Sequence, residues 1–128
     1  VARGTLITIE GLDGAGKSTL AGALQRELAA RAGAGRPVEL LREPGGVEVS
    51  ERIRALVKDP ALAVLARTEA LLYAAARAQL VEQRLQPLLS GGAVVLLDRF
   101  VDSSLAYQGA ARGLGVEHVR AINLFATG

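Results

Sequence analysis

Gly11-Leu12-Asp13-Gly14-Ala15-Gly16-Lys17-Ser18-Thr19 is the segment in which residue types and spacing most directly specify chemistry. It matches the phosphate-binding P-loop pattern in full. Its glycines let successive backbone N–H groups turn toward one centre, and the positive end of the following helix completes a cavity for phosphate oxygens. Lys17 would bridge the β- and γ-phosphates of a nucleotide. The Ser18 hydroxyl suits Mg²⁺, which prefers oxygen ligands and takes part of its shell from nucleotide phosphates. Asp98, at the end of an apolar run, is a second oxygen donor for that ion, directly or through water; the same residue type also caps helices. Arg42 and Arg99 are fixed cations that can hold phosphate bidentately. Arg31, Arg84 and Arg120 read as ordinary surface residues.

These groups need elements to position them. The alternating β-branched run at residues 5–10 predicts a strand that ends at the glycine-rich turn. Leu20, Leu24 and Leu28 then mark a helix that packs on the sheet and stops at Gly33 and Gly35. Residues 38–42 predict a second strand, closed by Pro44-Gly45-Gly46. Val49, Ile53, Leu56 and Val57 fit one face of a helix over 48–58. A longer helix is predicted from about residue 67 to 89, burying Leu71, Leu72, Ala75, Ala78, Leu85 and Leu88, with Pro87 bending its last turn. The unbroken apolar run at 93–98 reads as a strand buried on both faces. Helices over 103–111 and 116–126 complete the chain. Alternation of strands and helices predicts an α/β domain with a parallel sheet and right-handed crossovers. Ligands bind such sheets beyond the carboxyl ends of the strands, where Gly11, Arg42 and Asp98 all lie.

Composition narrows the function classes. The 128 residues are 50% apolar, and length alone gives about one domain. With no cysteine, disulfides and thiolate-bound zinc are excluded. The apolar stretches at 61–66 and 93–97 fall far short of the ~20 residues that cross a bilayer. Residues 1–10 lack the long apolar region of a secretory leader, so a cytoplasmic protein is expected. Fifteen basic residues against thirteen acidic ones give a net charge of +2, scattered along the chain, which is not a nucleic-acid footprint. Aromatics make up 3%, too few for a base-stacking platform.

Four segments together resemble the bacterial thymidylate kinases. They are Ile9-Glu10 with the P-loop, Arg42-Glu43-Pro44-Gly45-Gly46, the stretch Thr68-Glu69-Ala70-Leu71-Leu72-Tyr73-Ala74-Ala75-Ala76-Arg77, and Asp98-Arg99-Phe100-Val101-Asp102-Ser103-Ser104-Leu105-Ala106-Tyr107-Gln108-Gly109. The resemblance implies a P-loop kinase fold, a parallel sheet flanked by helices, of which residues 1–128 form the N-terminal part of a single domain with three of its strands. It implies transfer of the ATP γ-phosphoryl group to dTMP, with Mg²⁺, in a homodimer.

Roles follow from the resemblance residue by residue. The loop from Gly11 to Thr19 serves ATP, Lys17 acting in catalysis and Ser18 on the metal. Asp13 lies near the acceptor sugar and the metal, and Asp13 and Asp98 each count as both a catalytic residue and a metal ligand. Arg99, also catalytic, holds the acceptor phosphate beside Asp98, and Glu43 and Pro44 line the acceptor pocket. Tyr73 lies over or beside the thymine ring, although without the family it reads equally as a core aromatic. Arg77, one turn later on the same face, reaches a thymine carbonyl. Arg54 closes over the base, Ser104 and Gln108 border its polar edge, and Tyr107 stands against the deoxyribose. His118 is read as a surface residue.

Relatives continue past the equivalent of Gly128 with a basic lid and further strands beside strand one. Leu12, Asp13, Gly14 and Ala15 include no arginine, so the chain resembles the subgroup whose lid supplies the transition-state cation. The 128 residues alone are therefore expected to be inactive, with strand one left at a sheet edge. The P-loop by itself also fits a kinase of another small acceptor, which the Tyr73/Arg77 pair and Ser103-Ser104 disfavour, or a nucleotide-binding module without catalysis.

Overall fold

The computed structural model describes residues 3–9, 17–33, 35–42, 47–98, 113 and 115–128. Strands β1 (Thr5–Ile9), β2 (Val38–Arg42) and β3 (Val94–Asp98) alternate with helices α1 (Lys17–Ala32), α2 (Glu48–Lys58), α3 (Ala66–Leu80), α4 (Gln86–Ser90) and α5 (Val116–Thr127). Among the described residues the sheet is three-stranded, parallel, and ordered β1-β3-β2. The expected α/β architecture is observed, and β1 lies at one edge. β3 is central, and its continuous Val94-Val95-Leu96-Leu97 run is buried throughout, as a strand covered on both faces requires.

Side chains alternate between the faces of β3. Val95 and Leu97 join Leu41, Leu80, Val81, Leu85 and Ala93 in one core cluster. Val94, Leu96 and Asp98 point to the opposite face, which α1 covers by packing on β2 and β3.

The amino ends of the strands are tied together by hydrogen bonds. After α4, Gly92 at φ 87° closes a Schellman turn, in which Gly92 N–H donates to Leu89 O (3.1 Å) and Ala93 N–H to Leu88 O (3.0 Å). A left-handed φ of this kind favours glycine. The same turn receives β1, because Gly4 N–H donates to Leu89 O (2.9 Å) and Thr5 N–H to Ala93 O (3.0 Å). Arg36 adds a clamp, donating to Gly92 O and to Thr5 Oγ1, each at 3.0 Å.

Three expectations are corrected. The helix predicted over 67–89 is interrupted by a π turn, Val81–Leu85, between α3 and α4, closed by Gln86 N–H donating to Val81 O. Pro87 supplies the reason: in a continuous α-helix its ring meets the carbonyl of Gln83, and the wider turn before it relieves that clash. The buried residues also differ. Leu71 and Ala75 are exposed and Leu72, Ala78 and Leu88 half-buried, whereas Ala70, Ala74, Ala76 and Leu80 are buried with Leu85. Leu20 on α1 and Val49 and Leu56 on α2 are exposed as well, and Ala21 and Ser50 are the buried contacts there. The helix predicted over 103–111 lies outside the described residues.

Candidate functional site

The carboxyl ends of the three strands stand level. Asp98 is in register with Ile9 of β1 on one side and Arg42 of β2 on the other. Ile9, Arg42 and Asp98 therefore end the three strands at one end of the sheet, opposite the end tied by the Gly4, Gly92 and Arg36 hydrogen bonds. Asp98 is 6% exposed. It shares its sheet face with α1, which opens with Lys17, Ser18 and Thr19.

The first turn of α1 carries no acidic residue, whereas α2 begins with Glu48 and Glu51, α3 carries Glu69 and α5 carries Glu117. Acidic side chains in a first turn offset the positive end of the helix dipole. Among the described residues there is no group of three His, Cys, Asp or Glu that could hold a metal by itself.

A second cluster spans α2, α3 and α5. Ser50, fully buried, donates from Oγ to the carbonyl of Ala76 at 2.7 Å and fixes α2 against α3. Arg54, one turn further along the same side of α2, is half-buried. On α3, Tyr73 is half-buried and Arg77 is 4% exposed, and their i, i+4 spacing places both on one face. Arg77 Nη1 donates to Oδ1 of Asn123 on α5. Asn123 Nδ2 in turn donates to the carbonyl of Val119 at 2.9 Å.

A family model for thymidylate kinase matches residues 9–128. The chain belongs to the thymidylate kinase family. The thymidylate kinase of Bacillus velezensis is 50% identical over 126 residues, covering 98% of this chain and 58% of that protein. That of Oceanobacillus iheyensis is 54% identical over 123 residues, covering 95% and 53% respectively. A crystal structure of thymidylate kinase from Ehrlichia chaffeensis superposes with a TM-score of 0.87 at 34% identity, over 95% of this chain and 65% of that one. The chain thus spans somewhat more than half the length of these thymidylate kinases, and its fold is the family's P-loop kinase fold.

The structure brings Tyr73 and Arg77 together on α3, with Arg54 on the helix packed against it, and sets Asp98 on the α1 face of the sheet. Lys17 and Ser18 open α1, and Thr19 beside them is exposed. Gly11, Leu12, Asp13, Gly14, Ala15, Gly16, Glu43, Pro44, Arg99, Ser104, Tyr107 and Gln108 lie outside the described residues. The arginines read as surface residues are that: Arg31 pairs with Glu27 (2.8 Å), Arg84 with Glu39 (3.5 Å) and Arg120 with Glu117 (3.9 Å). His118 is exposed. Sequence reasoning missed Ser50 and Asn123. The available signal for Asn123 was a polar residue within the stripe Val119, Asn123, Ala126, whose i, i+4, i+7 spacing marks a buried helix face.

Proposed function

We propose that the protein to which this chain belongs transfers the γ-phosphoryl group of ATP to dTMP, giving dTDP and ADP, a step toward dTTP. The observation that carries this reading is the pairing of two sites in one fold. Lys17 and Ser18 open a helix that packs on the sheet whose central strand ends at the buried Asp98, and a buried arginine lies one turn from a tyrosine on a helix face. The first suits the donor phosphates and the second a pyrimidine base.

Phosphoryl transfer asks the protein for positioning and charge stabilisation more than for covalent chemistry. In this reading the backbone from Gly11 to Gly16, with Lys17 and Thr19, cradles the ATP phosphates. Ser18, Asp13 and Asp98 hold Mg²⁺, which neutralises charge on the phosphates when bound. Arg99 holds the acceptor phosphate, and Glu43 and Pro44 border the acceptor. Tyr73 stacks against thymine, Arg77 donates to its carbonyl, and Arg54 closes over the ring. Ser104 and Gln108 border its polar edge, while Tyr107 stands against the deoxyribose and disfavours a 2′-hydroxyl.

A homodimer is part of the proposal, supported by Leu124 and Phe125 on α5, 66% and 92% exposed, and by Leu71 on α3. A cytoplasmic location is proposed with it, and no helix among the described residues is long and apolar enough to cross a membrane. The partners are ATP and dTMP, with neither nucleic acid nor membrane.

The test is a steady-state assay of the full-length protein with Mg·ATP and a panel of dTMP, dUMP, dCMP and AMP. Preference for dTMP is expected. Faster turnover of another acceptor would assign a different kinase, and binding of ATP and dTMP without turnover would make the protein a nucleotide-binding module.

A further inference from the structure

We infer that Asn123 is a positioning residue for base recognition, orienting Arg77 from a helix that need not touch the base itself. The inference rests on the reading of Arg77 as the thymine-facing donor. Arg77 and Asn123 lie on different helices, α3 and α5, and are 4% and 2% exposed. A buried guanidinium on a long, flexible side chain needs an acceptor to hold one orientation, and Asn123 Oδ1 accepts from its Nη1.

The amide is not free to turn. Its NH₂ group donates to Val119 O at 2.9 Å, one turn back on α5. Rotating the amide by half a turn would set its NH₂ against the guanidinium, donor against donor, and its oxygen against the Val119 carbonyl, acceptor against acceptor. The bond inside α5 therefore dictates which atom Arg77 meets. One guanidinium N–H is committed to Asn123, and that bond restrains the orientation of the guanidinium.

Asn123 is a poor choice for α5 on local grounds. Asparagine is among the weaker helix formers, and this one sits between Val119 and Ala126 on the buried face. An alanine or leucine would serve packing alone. The amide supplies what those residues lack, an acceptor for Arg77 and a donor that fixes it.

The experiment is a double-mutant cycle in the full-length enzyme, with Asn123→Ala, Arg77→Ala and the double variant, reading kcat and KM for dTMP and dCMP and KM for ATP. Asn123→Ala is expected to raise the dTMP KM about 10-fold, the scale set by one hydrogen bond to a charged group, with the ATP KM unchanged. The ratio of kcat/KM for dTMP over dCMP is expected to fall with it. In the Arg77→Ala background the same change is expected to have no further effect on dTMP. If Asn123→Ala does not fold, Asn123→Ser takes its place: a serine hydroxyl can still donate to Val119 O but is too short to serve Arg77. Equal losses with and without Arg77, or a loss of kcat shared by all acceptors, would make Asn123 a structural residue and overturn the inference. An Arg77→Ala variant with an unchanged dTMP-to-dCMP ratio would remove the base-reading role of Arg77, and the inference with it. A changed ratio in Arg77→Ala beside an unchanged one in Asn123→Ala overturns the inference alone.

Discussion

Replacing Gly4 with alanine tests whether the amino-terminal clamp of the sheet is as tight as its geometry implies. A Cβ at Gly4 would stand 2.6 Å from Ala93 O and 2.7 Å from both Leu89 Cα and Leu89 O. Ordinary contact begins near 3.4 Å, and all three atoms belong to backbone, so no side chain can swing aside. Relief requires the start of β1 to move away from the turn that precedes β3. That movement stretches the bonds from Gly4 N–H to Leu89 O and from Thr5 N–H to Ala93 O, now 2.9 and 3.0 Å. Overpacking of this kind costs about 1–3 kcal/mol, and weakening two backbone bonds brings the expected total to roughly 2–4 kcal/mol. Urea denaturation of the full-length protein, followed by circular dichroism, is expected to show a lower midpoint with an unchanged m value. Gly22→Ala is the internal control, because among the described residues a Cβ there meets only the flexible end of Arg26 at 3.5 Å. Inside α1 that substitution is expected to stabilise by about 0.5–1 kcal/mol. A Gly4→Ala midpoint equal to that of the unsubstituted protein would refute the claim that β1 is seated without slack.

Further outcomes are expected. Lys17→Ala should lower turnover of dTMP by the full-length enzyme about 10²-fold or more while leaving its circular dichroism unchanged, since the position faces phosphate in the proposed reaction. dUMP should be a poorer but real acceptor, because one methyl group in an apolar pocket discriminates by only about 1–3 kcal/mol in kcat/KM. Arg77→Ala should narrow the preference for dTMP over dCMP by weakening dTMP, since the cytosine amino group already opposes the arginine donors; a kinetic panel reads this directly. Ser50→Ala removes the 2.7 Å bond to Ala76 O and should cost about 0.5–1.5 kcal/mol in thermal or urea unfolding.

Much of the frame was legible because β3 announces itself. Four consecutive apolar residues ending in an aspartate cannot alternate between core and water, so the strand had to be covered on both faces and Asp98 had to mark its carboxyl end. The helical faces were less legible. Choosing large apolar residues as the buried ones selected Leu71 and passed over Ala70, Ala74 and Ala76, yet a helix packed against both α2 and α5 buries small side chains where backbones approach closely. In an alanine-rich helix apolar residues occur on every side, and periodicity then has little contrast to report. Arg77 was visible through resemblance, since an arginine on a helix ordinarily reads as solvated. Buried as it is, it bonds to Asn123, a partner 46 positions away that no local pattern connects to it. The π turn escaped because the effect of Pro87 falls on the residues before it.

That π turn also bears on how the chain tolerates changes in length. A π turn holds one residue more than the α geometry on either side requires, so deleting a residue within Val81–Leu85 removes that excess and keeps α3 and α4 in phase, at the cost of returning the Pro87 ring to the carbonyl four residues before it. The same deletion between Tyr73 and Ala76 would turn the downstream part of α3 by about 100° and carry Arg77 off the face it shares with Tyr73. A single deletion in the π turn thus leaves Tyr73 and Arg77 on their shared face, whereas one inside α3 separates them.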